Sequence, residues 1–343
     1  MQTLKQVVGI DVGSKELVVC FGKLFSNLEK QLYLYGNFRN TSQGLAKLYQ
    51  WVEKHKDTDV SVHYIMEATG VYHEKLAYFL EGKYCNISII LPNKISNYFR
   101  SLEVKTITDR TSSEAITLFG LERNTELWKS PDPVYKTLKQ LTRERDQLVQ
   151  ERTMIKSQLH AEQTESTPNS HSIKRMQYRI TILNDQEVEI QKEIREVIKS
   201  NSKLIDAVNT IKSIPGIGLL TAAIILAETN GFETIRNKKQ LVSYAGLDIK
   251  EKQSGISING KPVISKRGNR YLRKAIHLPA LAAIRHEQHY KNIFVRLVNK
   301  HGIRMKAAVA VQRKLLELAF ILYKTQQQYN PKYHLNLTPI KES

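Results

Sequence analysis

The chain has 343 residues, of which 41% are hydrophobic, so it is long enough for two or three domains with buried cores. Its 52 Lys and Arg against 33 Asp and Glu give a net charge of +19, which indicates a polyanionic partner. Between residues 250 and 314 there are sixteen Lys and Arg and two acids. That stretch carries +14 of the net charge, and this concentration favours nucleic acid over an anionic membrane or a uniform solubilising surface.

The cysteine content and the length of the apolar runs indicate the cellular compartment. The two cysteines, Cys20 and Cys85, exclude a disulfide framework and a Cys-rich zinc module. The N-terminus has no signal-peptide pattern, and the apolar run at 219–227 is too short to span a bilayer. These features predict a cytoplasmic protein.

The first 130 residues are predicted to form an α/β domain. Short β-branched runs alternate with stretches that have helical spacing of apolar residues. The predicted order is β-β-β-α-β-α-β-α, from the stretches VVGIDV, ELVVCFG, QLYLYGNF, TSQGLAKLYQWVEKH, VSVHYIME, VYHEKLAYFLEGK, NISIILP and DRTSSEAITLFGLER.

A charged helical segment is predicted for residues 131–203. Pro131 and Pro133 mark its start, and a loop at 166–171 divides an apolar stripe of Leu, Ile and Val. The pattern favours two long helices folded back on each other or a dimerising coiled coil. A single solvated helical spacer is the alternative.

Residues 204–328 are predicted to form a mostly helical domain. The stretch 211–228 has the form of a helix-hairpin-helix, in which Gly216 and Gly218 would let backbone N–H groups approach a phosphate. An ordinary turn between two helices is the alternative. A Gly/Ser/Lys-rich loop at 244–276 leads into a basic helix, and the tail at 329–343 is predicted to be loosely ordered.

Three acids stand out in the α/β domain. Asp11 and Glu67 each lie at the end of an apolar strand, and Asp109 lies where a helix would begin. Adjacent strands would bring such carboxylates together, as hard divalent cations require. The alternatives are a turn residue before Gly13 for Asp11 and a helix N-cap for Asp109. The Asp-x-Gly-Ser hairpin also occurs in sugar-kinase and actin-like ATPases, but this chain shows no second such hairpin.

Ser254 is a candidate nucleophile. It lies in a loop beside Gly255, and the cations that follow could clamp a phosphodiester and stabilise its transition-state charge. These cations are Lys261, Lys266, Arg267, Arg270, Arg273 and Lys274. A turn serine in a basic loop is the alternative.

Several motifs resemble one known family. They are GIDVGSKEL, MEATGVY, IPGIGLLTAAIILAE, LVSYAGLDIKEKQSGISINGKPVISKRGNRYLRKA and AVAVQRKLLELAFILYK, and they extend from about residue 6 to residue 324. The chain is similar to the DEDD-type serine transposases of insertion sequences, the IS110 family, which is related to the pilin-gene invertases. The resemblance implies a RuvC-like N-terminal domain of the RNase H group, a coiled-coil linker and a C-terminal transposase domain.

The resemblance also implies a mechanism. Asp11, Glu67 and Asp109 would hold Mg²⁺ or Mn²⁺, and Ser254 would attack DNA to form a phosphoserine intermediate. The partners would be donor and target double-stranded DNA, a structured bridge RNA, and further copies of the chain in a dimer or a synaptic tetramer. The family pattern has a fourth acid where this chain has Ser112. Ser112 or Glu114 would then complete the site, or the site would be weakened.

Two other functions fit the same sequence. A metal-dependent nuclease or Holliday-junction resolvase would use water in place of Ser254. A non-catalytic scaffold would bind nucleic acid through the basic stretch alone. A covalent protein–DNA adduct would distinguish the recombinase from both.

Overall fold

The computed structural model describes residues 1–68, 70–102, 106–250, 253–254, 258–259 and 263–331, with backbone alone at 253–254 and 258–259. The chain divides into two compact units, Met1–Ser130 and Pro131–Ser343. The predicted division into domains, with boundaries at 130/131 and 203/204, stays a prediction, and most of the predicted loose tail lies outside the described residues.

The first unit is built on a five-stranded mixed sheet with the order β3-β2-β1-β4-β5. Strands β1, β2 and β3 pair antiparallel, whereas β4 and β5 run parallel to β1. The elements are β1 (Thr3–Val12), β2 (Glu16–Phe25), β3 (Lys30–Arg39), α1 (Ser42–His55), β4 (Val62–Glu67), α2 (Glu74–Glu81), β5 (Asn86–Ile90), α3 (Pro92–Ser101) and α4 (Asp109–Glu122). The predicted order is confirmed except that one further helix, α3, lies between β5 and α4, and the sheet agrees with the RuvC-like fold that the resemblance implies.

Helix α3 was absent from the sequence prediction. Pro92, taken as the end of a strand, is instead the first residue of this helix, where its missing N–H costs nothing. Ile95, Tyr98 and Phe99 are buried at helical spacing. A proline followed by apolar residues at helical spacing is a signal for the start of a helix, so α3 could have been predicted from the sequence.

The two faces of the sheet carry different cores. Val8 and Ile10 of β1 face a core shared with α1 and α2, while Val7 faces one shared with α3 and α4. Side chains alternate between faces along a strand, so Gly9 and Asp11 share the face of Val7.

Helix α4 packs closely against the face of the sheet to which Val7 and Gly9 belong. A Cβ atom at Gly9 would be 2.3 Å from Thr117 Oγ1, and one at Gly120 would be 2.3 Å from Ile65 Cδ1. Thr117 also donates a hydrogen bond to the carbonyl of Cys20 at 3.0 Å. Only glycine at positions 9 and 120 permits this approach, which fixes the height of α4 above β1 and β4.

The second unit is mostly helical. Its elements are α5 (Pro133–Thr164), α6 (Ser170–Lys199), α7 (Ser202–Lys212), α8 (Leu219–Thr229), α9 (Lys238–Tyr244), β6 (Ile249–Lys250), β7 (Gln253–Ser254), β8 (Ile258–Asn259), β9 (Val263–Ile264), α10 (Arg270–Ala275), α11 (His277–His286), α12 (Gln288–His301) and α13 (Arg304–Thr325). One hydrophobic core includes residues from α5, α6, α7, α8 and α13. Within the described residues, no helix is long and apolar enough to cross a membrane.

Helices α5 and α6 fold back on each other. Glu187 of α6 accepts hydrogen bonds from Arg145 and Arg152 of α5, and Arg152 also donates to Asn184. The partners run in opposite directions along the two helices, so the pair is antiparallel. The prediction of two folded-back helices is confirmed, and the single solvated spacer is wrong.

Candidate metal and nucleic-acid sites

Asp11 and Glu67 lie side by side at the carboxyl ends of two parallel strands. Ile10 is paired with Met66, so the next residues, Asp11 and Glu67, are neighbours in register. Adjacent strands are about 4.8 Å apart. The turn alternative for Asp11 is wrong, because Asp11 pairs with Val18 within the sheet and the turn begins at Gly13.

Asp109 is the first residue of α4, above the same face of the sheet. Gly9 and Ile65 contact α4, and Asp11 and Glu67 follow them by two residues, so both carboxylates share that face. The N-cap alternative for Asp109 is wrong. Thr108 is the cap, and its hydroxyl accepts the N–H of Thr111 at 3.2 Å.

The electrostatics show that the three carboxylates interact. Burial first, and then the charges of Asp109 and Glu67, together raise the pKa of Asp11 to about 6. Carboxylate oxygens are the donor set that Mg²⁺ or Mn²⁺ prefers. Within the described ranges, no three His, Cys, Asp or Glu side chains are already gathered closely enough to hold a metal. The three acids therefore fit a metal in charge and donor type, and Asp11 and Glu67 are neighbours in strand register.

The two candidates for a fourth ligand point to different places. Ser112 stands one helical turn after Asp109, on the same face of α4. Glu114 accepts a hydrogen bond from Arg110 Nε at 3.3 Å, and that guanidinium lies 4.0 Å from the ring centroid of Tyr35 on β3. Glu114 is thus directed toward the edge strand farthest from β4.

Ser254 belongs to a short strand, and its prediction as a loop residue is wrong. Its backbone pairs with Ile258 across β7 and β8. Strands β6 and β9, which precede and follow this pair in the chain, also pair with each other, with Ile249 opposite Ile264. Ser254 therefore lies in the inner strand pair of a nested hairpin. Gly/Ser-rich composition concealed this arrangement.

The base of this hairpin is tied down by close backbone contacts. Ser265 donates both its N–H and its hydroxyl to Asp248. Gly246 and Gly268 have positive φ angles of 65° and 155°, and a Cβ on Gly268 would lie 2.4 Å from a carbonyl oxygen of Tyr244. The hairpin thus starts from a fixed base.

The predicted phosphate-binding cations fall into two groups. Lys266, Arg267 and Arg270 are exposed. By contrast, Arg273 donates to the carbonyls of Ala245 at 2.8 Å and Gly268 at 3.2 Å, and Lys274 pairs with Asp146. Arg273 therefore braces the base of the hairpin. Lys261 lies outside the described residues.

Replacing Arg267 and Arg270 together with Gln should weaken duplex binding and flatten its salt dependence. Each duplex phosphate contact contributes roughly 0.9 to the log–log slope, so the pair should remove up to about 1.8. The measurement is DNA affinity by fluorescence anisotropy across a salt series. The control is replacement of the exposed Arg175 and Arg179 of α6 with Gln, which removes the same two charges outside the basic stretch.

An equal loss of the log–log salt slope in the control pair would contradict a DNA-binding surface formed locally by Arg267 and Arg270. Arg273→Gln should behave differently from both, because it removes two hydrogen bonds to backbone carbonyls. It should lower the thermal midpoint of the protein, which neither exposed pair should do.

The predicted helix-hairpin-helix is present as α7, a turn and α8. Gly216 has φ +85°, and a Cβ there would lie 2.6 Å from the carbonyl oxygen of Pro279, so this glycine serves packing against α11. Gly218 is the N-cap of α8 and faces open space. An anion could therefore approach the α8 N-terminus past Gly218.

A buried ion pair in the second unit was not foreseen. Glu228 of α8 has a side chain with 0% exposure, and it receives two hydrogen bonds from Arg143 of α5 at 2.7 and 2.9 Å. Asn269, the N-cap of α10, donates to the same carboxylate at 2.6 Å. The cluster thus fixes the start of the basic helix α10 relative to α5 and α8.

A cation-rimmed groove lies between the hairpin base and helices α12 and α13. Its volume is about 680 Å³ and its wall is mostly apolar. Lys266, His301, Lys306 and Arg313 contribute to its lining, and no acid does among the described residues. The positive charge of the stretch 250–314 is thus concentrated partly around one concave surface.

Comparison with known proteins agrees with these features. The chain is 27% identical to the pilin gene-inverting protein of Moraxella bovis over 335 residues, which cover 96% of this chain and 99% of that protein. It is 23% identical to the transposase for insertion sequence element IS1111A of Coxiella burnetii, over 77% of this chain and 78% of that protein. Among solved structures, Thermus thermophilus RuvC covers 36% of this chain and 99% of its own length, at 11% identity and a TM-score of 0.28.

Two family models match separate parts of the chain. A model described as "Transposase", of the DEDD type of IS110, matches residues 8–167. A second, described as "Transposase IS116/IS110/IS902 family", matches residues 208–294. The first match includes the three acids, and the second includes Ser254 and the basic helix α10. The chain therefore belongs to the IS110 family of transposases, enzymes that act on DNA.

Proposed function

We propose that this transposase exchanges donor and target DNA strands through a covalent bond between Ser254 and a DNA phosphate. A divalent metal, Mg²⁺ or Mn²⁺, would be held by Asp11, Glu67 and Asp109, with Ser112 adjoining. The observation that carries the proposal is the placement of Asp11 and Glu67 at neighbouring strand ends, where the charges of Asp109 and Glu67 add to burial in raising the pKa of Asp11 to about 6. Such mutual repulsion is the electrostatic condition that a bound cation relieves.

The proposed step is a transesterification. The Ser254 hydroxyl oxygen attacks phosphorus, a serine–phosphate ester forms, and the bond from phosphorus to one deoxyribose oxygen breaks. The serine proton ends on that leaving oxygen as a hydroxyl. One phosphoester replaces another, so no ATP is needed. The metal, when bound, would polarise a phosphate oxygen.

The chain's own residues contribute position and charge to this step. The fixed hairpin base positions the strand that carries Ser254, and the exposed Lys266, Arg267 and Arg270 would bind DNA backbone. Ser254 and the three acids lie in different units of the chain. We therefore expect the serine of one subunit to act with the acids of another in a dimer or tetramer.

The resemblance to the family supports guidance by a structured bridge RNA from the same element. One loop would pair with target DNA and another with donor DNA. The net charge of +19 supports binding of more nucleic acid than one duplex site requires.

Trapping the reaction should yield a nucleotide-bearing peptide that maps to Ser254. The substrate is a nicked donor that cannot be religated, incubated with the protein, its RNA and Mg²⁺. A serine nucleophile stays attached to the cut DNA end as a phosphate ester. Water as the nucleophile would leave no protein–DNA adduct. Protease digestion and mass spectrometry give the position.

Ser254→Ala should lose the adduct and still bind RNA, and Ser257→Ala is the matched control that should keep the adduct. An adduct on Ser257 or on a tyrosine would overturn the assignment. Cleavage with no adduct would favour the water-using nuclease or resolvase, and binding with no cleavage would favour the scaffold.

A further inference from the structure

The segment between β3 and α1 contains a buried amide that faces the two loops beyond the acid-bearing strands. We infer that Asn40 is a positioning residue for the metal-binding acids, acting by tying the turn after β1 to the loop after β4. The inference rests on the proposed metal site, because it concerns the spacing of Asp11 and Glu67.

Asn40 has 8% of its surface exposed and donates three hydrogen bonds to these loops. Its Nδ2 donates to the carbonyl of Gly13 at 3.1 Å and to the carbonyl of Tyr72 at 3.1 Å. Its backbone N–H donates to the carbonyl of Lys15 at 2.7 Å. One residue therefore joins the turn two residues after Asp11 to the loop that follows Glu67.

The amide group suits this position. Both side-chain partners are carbonyl oxygens, so the NH₂ group faces them, and a carboxylate there would offer no donor. The Asn40 Oδ1 atom is buried and has no hydrogen-bond partner among the described residues. A buried acceptor without a partner offsets part of the stability that the two donated bonds contribute. The side chain therefore acts on the two loops through its NH₂ group alone.

The acids need such a restraint because they repel one another. Asp11 and Glu67 carry like charges at the ends of two neighbouring parallel strands, and like charges this close repel each other. Backbone pairing in register between the two strands reaches Ile10 and Met66, one residue before the acids. Beyond that point, Asn40 is the described side chain that bridges the two loops.

A second buried amide provides a matched control at the opposite end of β1. Gln6 has 0% exposure, donates to the carbonyls of Asp57 at 3.0 Å and Val60 at 2.6 Å, and accepts the N–H of Asp57 at 2.8 Å. It also joins a β1 residue to the segment before β4. Its side-chain oxygen and nitrogen are both satisfied, and it lies five residues from Asp11.

The two alanine variants should therefore differ in which property they change most, the thermal midpoint or the affinity for metal. Gln6→Ala should lower the thermal midpoint more than Asn40→Ala, since it removes three bonds and relieves no unpaired acceptor. Asn40→Ala should raise the Kd for Mn²⁺ about tenfold, the lower end of the effect for residues that orient metal ligands. It should also raise the Mg²⁺ concentration for half-maximal strand exchange, with activity recovering at high Mg²⁺.

The test is Mn²⁺ binding to the full chain, freed of nucleic acid, measured by electron paramagnetic resonance, together with thermal unfolding. Asp11→Asn identifies the signal of the proposed site. If Asp11→Asn leaves Mn²⁺ binding intact, the proposed metal site fails. If Asp11→Asn removes binding but Asn40→Ala leaves the Kd unchanged, or Gln6→Ala weakens binding equally, the metal site stands and the role of Asn40 is overturned.

Discussion

Asp11→Asn should abolish DNA strand exchange and, in metal-free buffer at neutral pH, make the protein more stable. The exchange rate should fall roughly 10²–10⁴-fold, because the variant loses a charged oxygen ligand of a metal worth several kcal/mol to the transition state. Asn keeps the shape of Asp, so the strand end should be unchanged. The measurements are recombination of a paired donor and target plasmid, and thermal unfolding in EDTA.

The stability gain follows from the direction of the Asp11 pKa. Folding raises it from 3.8 to about 6, so the folded state binds the proton more tightly than the unfolded chain. The ionisation of Asp11 therefore costs stability as the pH rises from about 4 through 6, and the cost is complete at pH 7. Asn removes that cost. The stability difference between wild type and Asp11→Asn should shrink below pH 6 and vanish below pH 4.

Glu16→Gln is the control, since it removes an exposed carboxylate from β2 of the same hairpin. It should leave DNA strand exchange unchanged. Normal strand exchange by Asp11→Asn in Mg²⁺ would contradict the metal site. A large loss of stability in Asp11→Asn would show instead that this aspartate serves the fold.

Arg143→Met should destabilise the second unit by about 3–5 kcal/mol, the cost of leaving a buried charge without its partner. Glu228 has 0% side-chain exposure, whereas Arg143 has 39%. Loss of Arg143 therefore leaves a buried carboxylate without its cation, and among the described residues only Asn269 still donates to that carboxylate. Glu228→Gln should cost less, because the guanidinium can be hydrated. Urea unfolding of the full chain, followed by circular dichroism, measures both.

The double variant Arg143→Met, Glu228→Gln should recover much of the stability lost by Arg143→Met alone. Lys192 and Glu196 on α6 form an exposed pair at 3.9 Å and provide the control. Lys192→Met should cost about 0.5 kcal/mol or less. A cost for Arg143→Met no larger than that would contradict the importance of the buried pair.

Local patterns predicted most of the first unit. Strands with β-branched residues and a helix with a capped start are encoded within ten or fifteen neighbouring residues, and acids at strand ends are visible as interruptions of an apolar run. The same locality produced the errors. Pro92 ends an apolar strand as well as beginning α3, and Asp109 resembles a cap until Thr108 is seen to form the capping box with Thr111.

The second unit was harder because its important contacts join distant residues. Arg273 looks like any other basic residue in the stretch, and only the fold brings the carbonyls of Ala245 and Gly268 to its guanidinium. Glu228 and Arg143 are 85 residues apart. Asn40 is equally inconspicuous, since its partners at Gly13 and Tyr72 lie on either side of it in sequence.

The Arg143–Glu228 pair also determines where chains of this family can be recombined by protein engineers. A chimaera joined at residue 203 would take Arg143 from one parent and Glu228 from the other, and would depend on both parents having the same pair. A junction at Pro131 keeps α5, α6 and the helices after them together, along with the ion pair and its link to Asn269. The long antiparallel helices are therefore inherited with the C-terminal helices as one piece, and the α/β unit is the part that can be exchanged.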